Sequence, residues 1–131
     1  MSGNADLALV RRVYTLFAEG DLDELHELLH PDVEQYVPGT HPWSGVFHGA
    51  AAVLANLRAT VEATDGTLTV ELQEVFSDLH GRVIAVDRSK GHRHGHDIDT
   101  RVAILFTVAD GQIVRFAEFY SDPADVEGFW S

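Results

Sequence analysis

At Thr67 the spacing of apolar residues changes, and that change limits the fold more than any other feature of the chain. Before it, apolar residues recur at three- and four-residue steps, as on one face of a helix; after it they alternate, as on one face of a strand. Leu7, Val10, Val13, Tyr14 and Phe17 mark a first helix, with Arg11, Arg12, Thr15 and Glu19 largely on its other side. Gly20 suits its end, because glycine enters the left-handed region without steric penalty. Asp21 and Glu24 then have capping-box spacing for a second helix, with Leu22, Leu25, Leu28 and Leu29 as its apolar stripe. His30-Pro31 ends it, since the residue before a proline is pushed away from helical angles. Residues 32–37 read as a short strand, 38–49 as a Pro- and Gly-rich loop, and 50–63 as a third helix with Val53, Leu54, Leu57 and Val61 on one face.

Beyond Thr67, Leu68, Val70 and Leu72 alternate with polar residues until the phase slips at Gln73-Glu74, the mark of a β-bulge that bends and twists a sheet. Three further strands follow over 82–90, 98–108 and 112–120, joined by a turn around Gly91 and Gly95 and by a hairpin at Asp110-Gly111. Asp122-Pro123 can cap and start a short last helix ending near Phe129-Trp130. Helices first and an antiparallel meander after them indicate the α+β class. With 131 residues and no repeat or linker, one domain over 1–131 is expected.

Charge removes several function classes. Nine basic residues against 21 acidic ones give a net charge of −12, so the chain would start from repulsion toward nucleic acid or an anionic membrane. Without cysteine it has no thiol redox chemistry, disulfide or thiolate zinc site. No secretory signal is visible at the N-terminus and no apolar run approaches the ~20 residues that span a bilayer, so a cytoplasmic location is expected. No nucleotide loop, nucleophile elbow or zinc-protease motif occurs, and no cofactor is expected.

The element order resembles the SnoaL-like, nuclear transport factor 2-like (ketosteroid isomerase-like) superfamily, on residues spread along most of the chain. The stretch from Leu16 through Phe17, Ala18, Glu19, Gly20, Asp21 and Leu22 to Asp23 resembles the junction of that family's first two helices. His30-Pro31-Asp32-Val33 resembles the start of its first strand, and Gly45-Val46-Phe47-His48-Gly49 the loop before its third helix. The run from Asp110 to Phe116, followed by Glu118-Phe119-Tyr120-Ser121-Asp122, resembles its final hairpin and exit. The resemblance implies a cone-shaped α+β barrel, with three helices on a bent, mostly antiparallel sheet. It also implies a hydrophobic small-molecule substrate and general acid–base chemistry of the isomerase, polyketide cyclase, dehydratase or hydrolase type; a non-catalytic binding or interaction module of the same fold is the alternative. Steroid isomerases of the superfamily use a tyrosine, a base and a buried acid, a case of carboxylates tuned by environment. Those positions fall here at Val13 (with Tyr14 beside it), near Val37 and near Ile104, so that constellation is absent.

Other polar residues take its place. Alternation on the last strand puts Val114, Phe116, Glu118 and Tyr120 on one face and Ile113, Arg115, Ala117 and Phe119 on the other. By the resemblance the first set looks into the cone, which would raise the pKa of Glu118 toward the range useful for proton transfer. The plainer readings are an exposed glutamate, or one paired with Arg115 or Arg101. Asp87, interrupting an apolar strand, is the second catalytic candidate; a strand end reaching solvent beside Arg88 is the plainer reading. Expected lining residues are Tyr14, Phe17, Tyr36, Trp43 and Leu57 from the first half, with Phe106, Phe116, Tyr120 and Trp130 from the second, although aromatics at such spacing are often simple core. His41 and His48 belong to the rim loop, where solvation is the plain reading. His92, His94 and His96 would share a side if extended and suit a transition metal, but Gly91 and Gly95 favour a solvated turn, and no metal site is assigned. Ile113, Ala117 and Phe119 face outward in this reading, which makes a homodimer through the sheet plausible.

Overall fold

A computed structural model describes residues 2–131. Helix α1 (Ser2–Glu19) buries Val10, Tyr14 and Leu16. It stops at Gly20, whose φ of 73° lets the Asp21 N–H reach back to the Leu16 carbonyl at 2.9 Å. The Asp21 carboxylate then accepts from the Glu24 N–H at 3.1 Å and starts α2 (Leu22–Leu28). The chain passes directly into β1 (Leu29–Val37), earlier than the proline suggested, because Leu29 already pairs with the last strand. The loop expected over 38–49 holds a short strand, β2 (Gly45–His48), antiparallel to β1. Its residues are exposed or half-buried without alternation, so nothing in their hydropathy marked a strand.

Helix α3 (Ala50–Ala63) crosses the concave side, and four strands follow: β3 (Thr69–Ser77), β4 (Arg82–Arg93), β5 (His96–Ala109) and β6 (Gln112–Tyr120). Helix α4 (Pro123–Trp130) closes the chain, with the Asp122 carboxylate accepting from the Asp125 N–H. The four helices pack on one sheet of order β2-β1-β6-β5-β4-β3. All pairings are antiparallel except β1 with β6. This is the expected bent α+β cone, with one helix more than the three N-terminal ones.

Two irregularities bend it. The expected bulge at Gln73 is present between Leu72 and Glu74. A second was not foreseen: Arg115 lies opposite Thr107 but Ile113 lies opposite Val108, leaving Val114 as the extra residue. The strand therefore changes face at Val114. Ile113 is fully buried in the core and not on the outer face, and Val114 is only half-buried. From Phe116 onward the expected parity holds.

The main core lies between α1, α2, α3 and the concave sheet, around Val10, Leu25, Val33, Val53 and Phe106. A second cluster of Ile98, Val126, Phe129 and Trp130 forms under α4. Burying a side chain of this size contributes about 1.5–3 kcal/mol. The convex face remains bare: Val46, Tyr36, Phe76, Ile84 and Phe119 are all exposed there.

Candidate functional site

Between the helices and the concave sheet the side chains leave a cavity of about 160 Å³. Its position follows from strand parity. On β4, alternate residues Val83, Ala85, Asp87 and Ser89 turn inward, and on β6 so do Phe116, Glu118 and Tyr120. Aromatic stacking of Phe106 on Phe116 (5.7 Å between centroids) and an edge contact from Tyr14 to Phe106 (6.3 Å) form an apolar wall. Phe17 and Leu57 line the helix side, and Trp43 and Trp130 the far end.

Asp87 does not reach solvent beside Arg88. It is 1% exposed, and both of its oxygens are engaged: the Tyr14 hydroxyl donates to Oδ2 and the Ser89 hydroxyl to Oδ1, each at 2.8 Å. Arg88 pairs instead with Asp99 on the other face of the hairpin, at 2.6 Å. Burial pushes the Asp87 pKa up, and the two donated bonds pull it partly back. The Tyr14 phenol is raised by burial and then by the neighbouring Asp87 charge, so it stays protonated and donating.

Glu118 lies in the cavity and pairs with neither Arg101 nor Arg115; Arg115 binds Glu34 at 3.3 Å. Its one protein donor is the Gln35 side-chain amide, 3.3 Å from Oε2. Asn56 on α3 donates to Gln35 Oε1 at 3.4 Å and so turns the Gln35 NH2 toward Glu118. Burial first, and the Asp87 charge second, push the Glu118 pKa up to about 7, against the lowering effect of Gln35. Two carboxylates sharing one low-dielectric hollow resist ionising together, the usual way a site sets two acids to different tasks. Tyr120, two residues along the same face, is also raised by burial and by Glu118, so its hydroxyl remains a donor near neutral pH.

Of the residues expected from sequence, Tyr14, Phe17, Trp43, Leu57, Phe106 and Phe116 line the cavity, as do Asp87, Glu118, Tyr120 and Trp130. Tyr36 does not. It sits 37% exposed on the convex face, opposite Val46 and Ala117, and the inward residues of β1 are Val33, Gln35 and Val37. His41 is also unlike its expectation: only 6% exposed, it is wedged against Trp130 and not solvated, whereas His48 is exposed. The histidine-rich segment forms a tight turn at His94-Gly95, both with positive φ, so His92, His94 and His96 do not share one side of a strand. Gln35 and Asn56 were missed. Each is a polar residue in the inward phase of its element, among apolar neighbours on that face, the same signal that drew notice to Asp87.

The SnoaL-like domain family matches residues 10–116. The chain belongs to the SnoaL-like family. A protein of Mycobacterium tuberculosis (strain ATCC 25618 / H37Rv), itself uncharacterized, is 53% identical across the full length of both chains. Among solved structures, Bal32a from a soil-derived mobile gene cassette is similar over 100% of both chains with a TM-score of 0.98 and 27% identity. TerC, co-crystallized with polyporic acid, shares the fold with a TM-score of 0.84 over 95% of this chain and 97% of its own, at 19% identity. Among the described residues of this SnoaL-like domain, no helix is long and apolar enough to cross a membrane.

Proposed function

We propose that this SnoaL-like domain is a cofactor-independent enzyme that moves a proton on a hydrophobic small molecule, in a reaction of the isomerase, polyketide cyclase, dehydratase or hydrolase type. The observation that carries it is the placement of Glu118: a carboxyl group inside a largely apolar cavity with one weak donor among the described residues, where burial pushes its pKa up to about 7. Such a group can accept or return a proton near neutral pH. Asp87, saturated by Tyr14 and Ser89, is the fixed partner whose charge helps hold Glu118 up. The Tyr120 hydroxyl, which has no hydrogen-bond partner among the described residues, is the donor for the substrate oxygen on which charge develops. TerC, a protein of the same fold, was co-crystallized with polyporic acid, which supports an organic small-molecule ligand here.

The test is α-proton exchange. Enolisable aromatic ketones of one or two rings are incubated with the protein in deuterated water and followed by proton NMR. Wild type is expected to accelerate exchange, Glu118→Gln to lower it by about 100-fold or more, and the wild-type rate to rise with pH up to about 7 and level off. Equal exchange by wild type and variant would remove Glu118 from the chemistry. Binding without exchange would favour the non-catalytic reading.

The partner proposed for the convex face is a second copy of the chain. Val46, Tyr36, Ala117, Leu105, Ile84 and Phe76 fall in register on one line across all six strands. The Glu34–Arg115 and Asp78–Arg82 pairs stand at the edge of this row. An apolar band flanked by charge suits a two-fold, self-complementary contact.

A further inference from the structure

Among the described residues, three buried side-chain nitrogens have no hydrogen-bond partner: His41 Nε2, Trp43 Nε1 and Arg93 Nε. They come from two segments, the loop between β1 and β2 (His41 and Trp43) and the end of β4 (Arg93), and all three side chains pack on one residue. The Trp130 ring lies 6.1 Å from the His41 ring, 6.1 Å from the Trp43 ring and 5.9 Å from the Arg93 guanidinium carbon. Buried donors are almost always paired, so three orphans around one side chain call for a common cause.

All three are donors. The indole and guanidinium nitrogens can only donate. For His41 the tautomer follows from its surroundings: the Trp43 backbone N–H points at Nδ1 at 3.2 Å, which keeps a lone pair there. Burial, the largest influence on the ring, holds it neutral against the raising effects of Glu127 and the Pro38 carbonyl, so the proton sits on Nε2. Neither Pro38 nor Glu127 gives that nitrogen a hydrogen bond. The Glu127 carboxylate is occupied by the Thr40 N–H and hydroxyl. His41, Trp43 and Trp130 all line the cavity, whose walls carry no lysine or arginine.

We propose that Trp130 is a displaceable plug, and that the corner it fills binds an acceptor oxygen of the substrate, of carbonyl or carboxylate type, through the N–H groups of Trp43 and His41. This rests on the cavity being a ligand site, and it adds what the ligand must carry: an oxygen at the end away from the apolar wall of Phe106 and Phe116. As it stands, the Trp130 ring packs against both the His41 and Trp43 rings, and their N–H groups are buried without an acceptor. A shift of α4, held to the neighbouring loop by Glu127–Thr40 and to β4 by Arg93 on the Phe129 and Ser131 carbonyls (3.2 Å each), would open the corner and exchange an apolar contact for hydrogen bonds.

The protein reports on this corner directly, because its two tryptophans are the two in question. Two indole N–H signals are therefore expected in a proton–nitrogen NMR spectrum, assigned with Trp130→Phe. A cavity of this size suits a benzene-sized probe, so acetophenone, benzoate and the oxygen-free ethylbenzene are titrated in parallel. Acetophenone or benzoate is expected to move the Trp43 indole signal downfield, and ethylbenzene to leave it in place while perturbing methyl signals of the cavity wall. Which of the two oxygen ligands does so tells carbonyl from carboxylate. Trp43→Phe is expected to weaken that ligand about 10-fold, the effect of one lost hydrogen bond, and to change ethylbenzene binding less than twofold. Trp130→Ala is expected to tighten it severalfold. If ethylbenzene and the oxygen ligands shift the Trp43 signal alike, the acceptor corner is wrong and the apolar cavity stands. If none of the three perturbs any cavity signal, the ligand site itself fails.

Discussion

Glu118→Gln should abolish a loss of stability with rising pH that a buried, proton-retaining carboxyl imposes on the wild-type protein. In the folded protein Glu118 holds its proton up to about pH 7, whereas the ordinary glutamate value of 4.5 describes the unfolded chain. Between those values the native state carries a proton that the unfolded state has released, so stability falls as pH rises through the window. Each pH unit in the window is worth about 1.4 kcal/mol, which makes the whole effect about 3 kcal/mol, a ceiling because Glu118 is only half-buried and solvent screens part of it. Glutamine accepts from Gln35 as the carboxyl does, fills the same space and cannot ionise. The variant is therefore expected to match wild type near pH 4.5 and to be more stable by up to about 3 kcal/mol near pH 8. Urea unfolding at half-unit steps from pH 4.5 to 8 measures the difference, and the repulsion from a net charge of −12 largely cancels between the two proteins. A difference that stays constant across the series would show that Glu118 ionises freely in the folded state, and the acid–base reading would lose its physical basis.

Tyr14→Phe leaves Asp87 Oδ2 buried without its donor, so an expected loss of about 1–3 kcal/mol should appear in urea unfolding. Because Tyr14 favours the ionised form of Asp87, the loss is expected to be larger at pH 8 than at pH 4. Ile84→Glu places a charge within the convex apolar row and is expected to convert a dimer to a folded monomer in sedimentation equilibrium. A wild-type monomer at high micromolar concentration would end the dimer reading.

What the sequence made legible and what it hid divide along one physical line. Helix stripes, the Gly20-Asp21 junction, the Gln73 bulge and the Asp110-Gly111 hairpin are local, set by residues a few positions apart, and they appear where the sequence puts them. The acids were legible for the same reason: Asp87 breaks an apolar strand, and Glu118 lies two residues from Phe116 and from Tyr120. Strand parity is different, because which face a residue takes is one choice for a whole strand, and it is made by the partner strand. A single extra residue inverts it. On β6 the extra residue is Val114, and it turns Ile113 into the core where simple alternation puts it outside. On β1 an irregularity falls between Leu29 and Glu34, and beyond it Gln35 points to the cavity while Tyr36 points away. An aromatic preceded by a glutamine invites the opposite assignment, since polar residues usually turn outward. Gln35 turns inward because Glu118 and Asn56 satisfy both ends of its amide there, and outward it would leave Glu118 with no protein donor. The inward glutamine is thus a consequence of the buried acid, and a polar residue in the apolar phase of a strand is better read as a sign of the site than as an exception to the pattern.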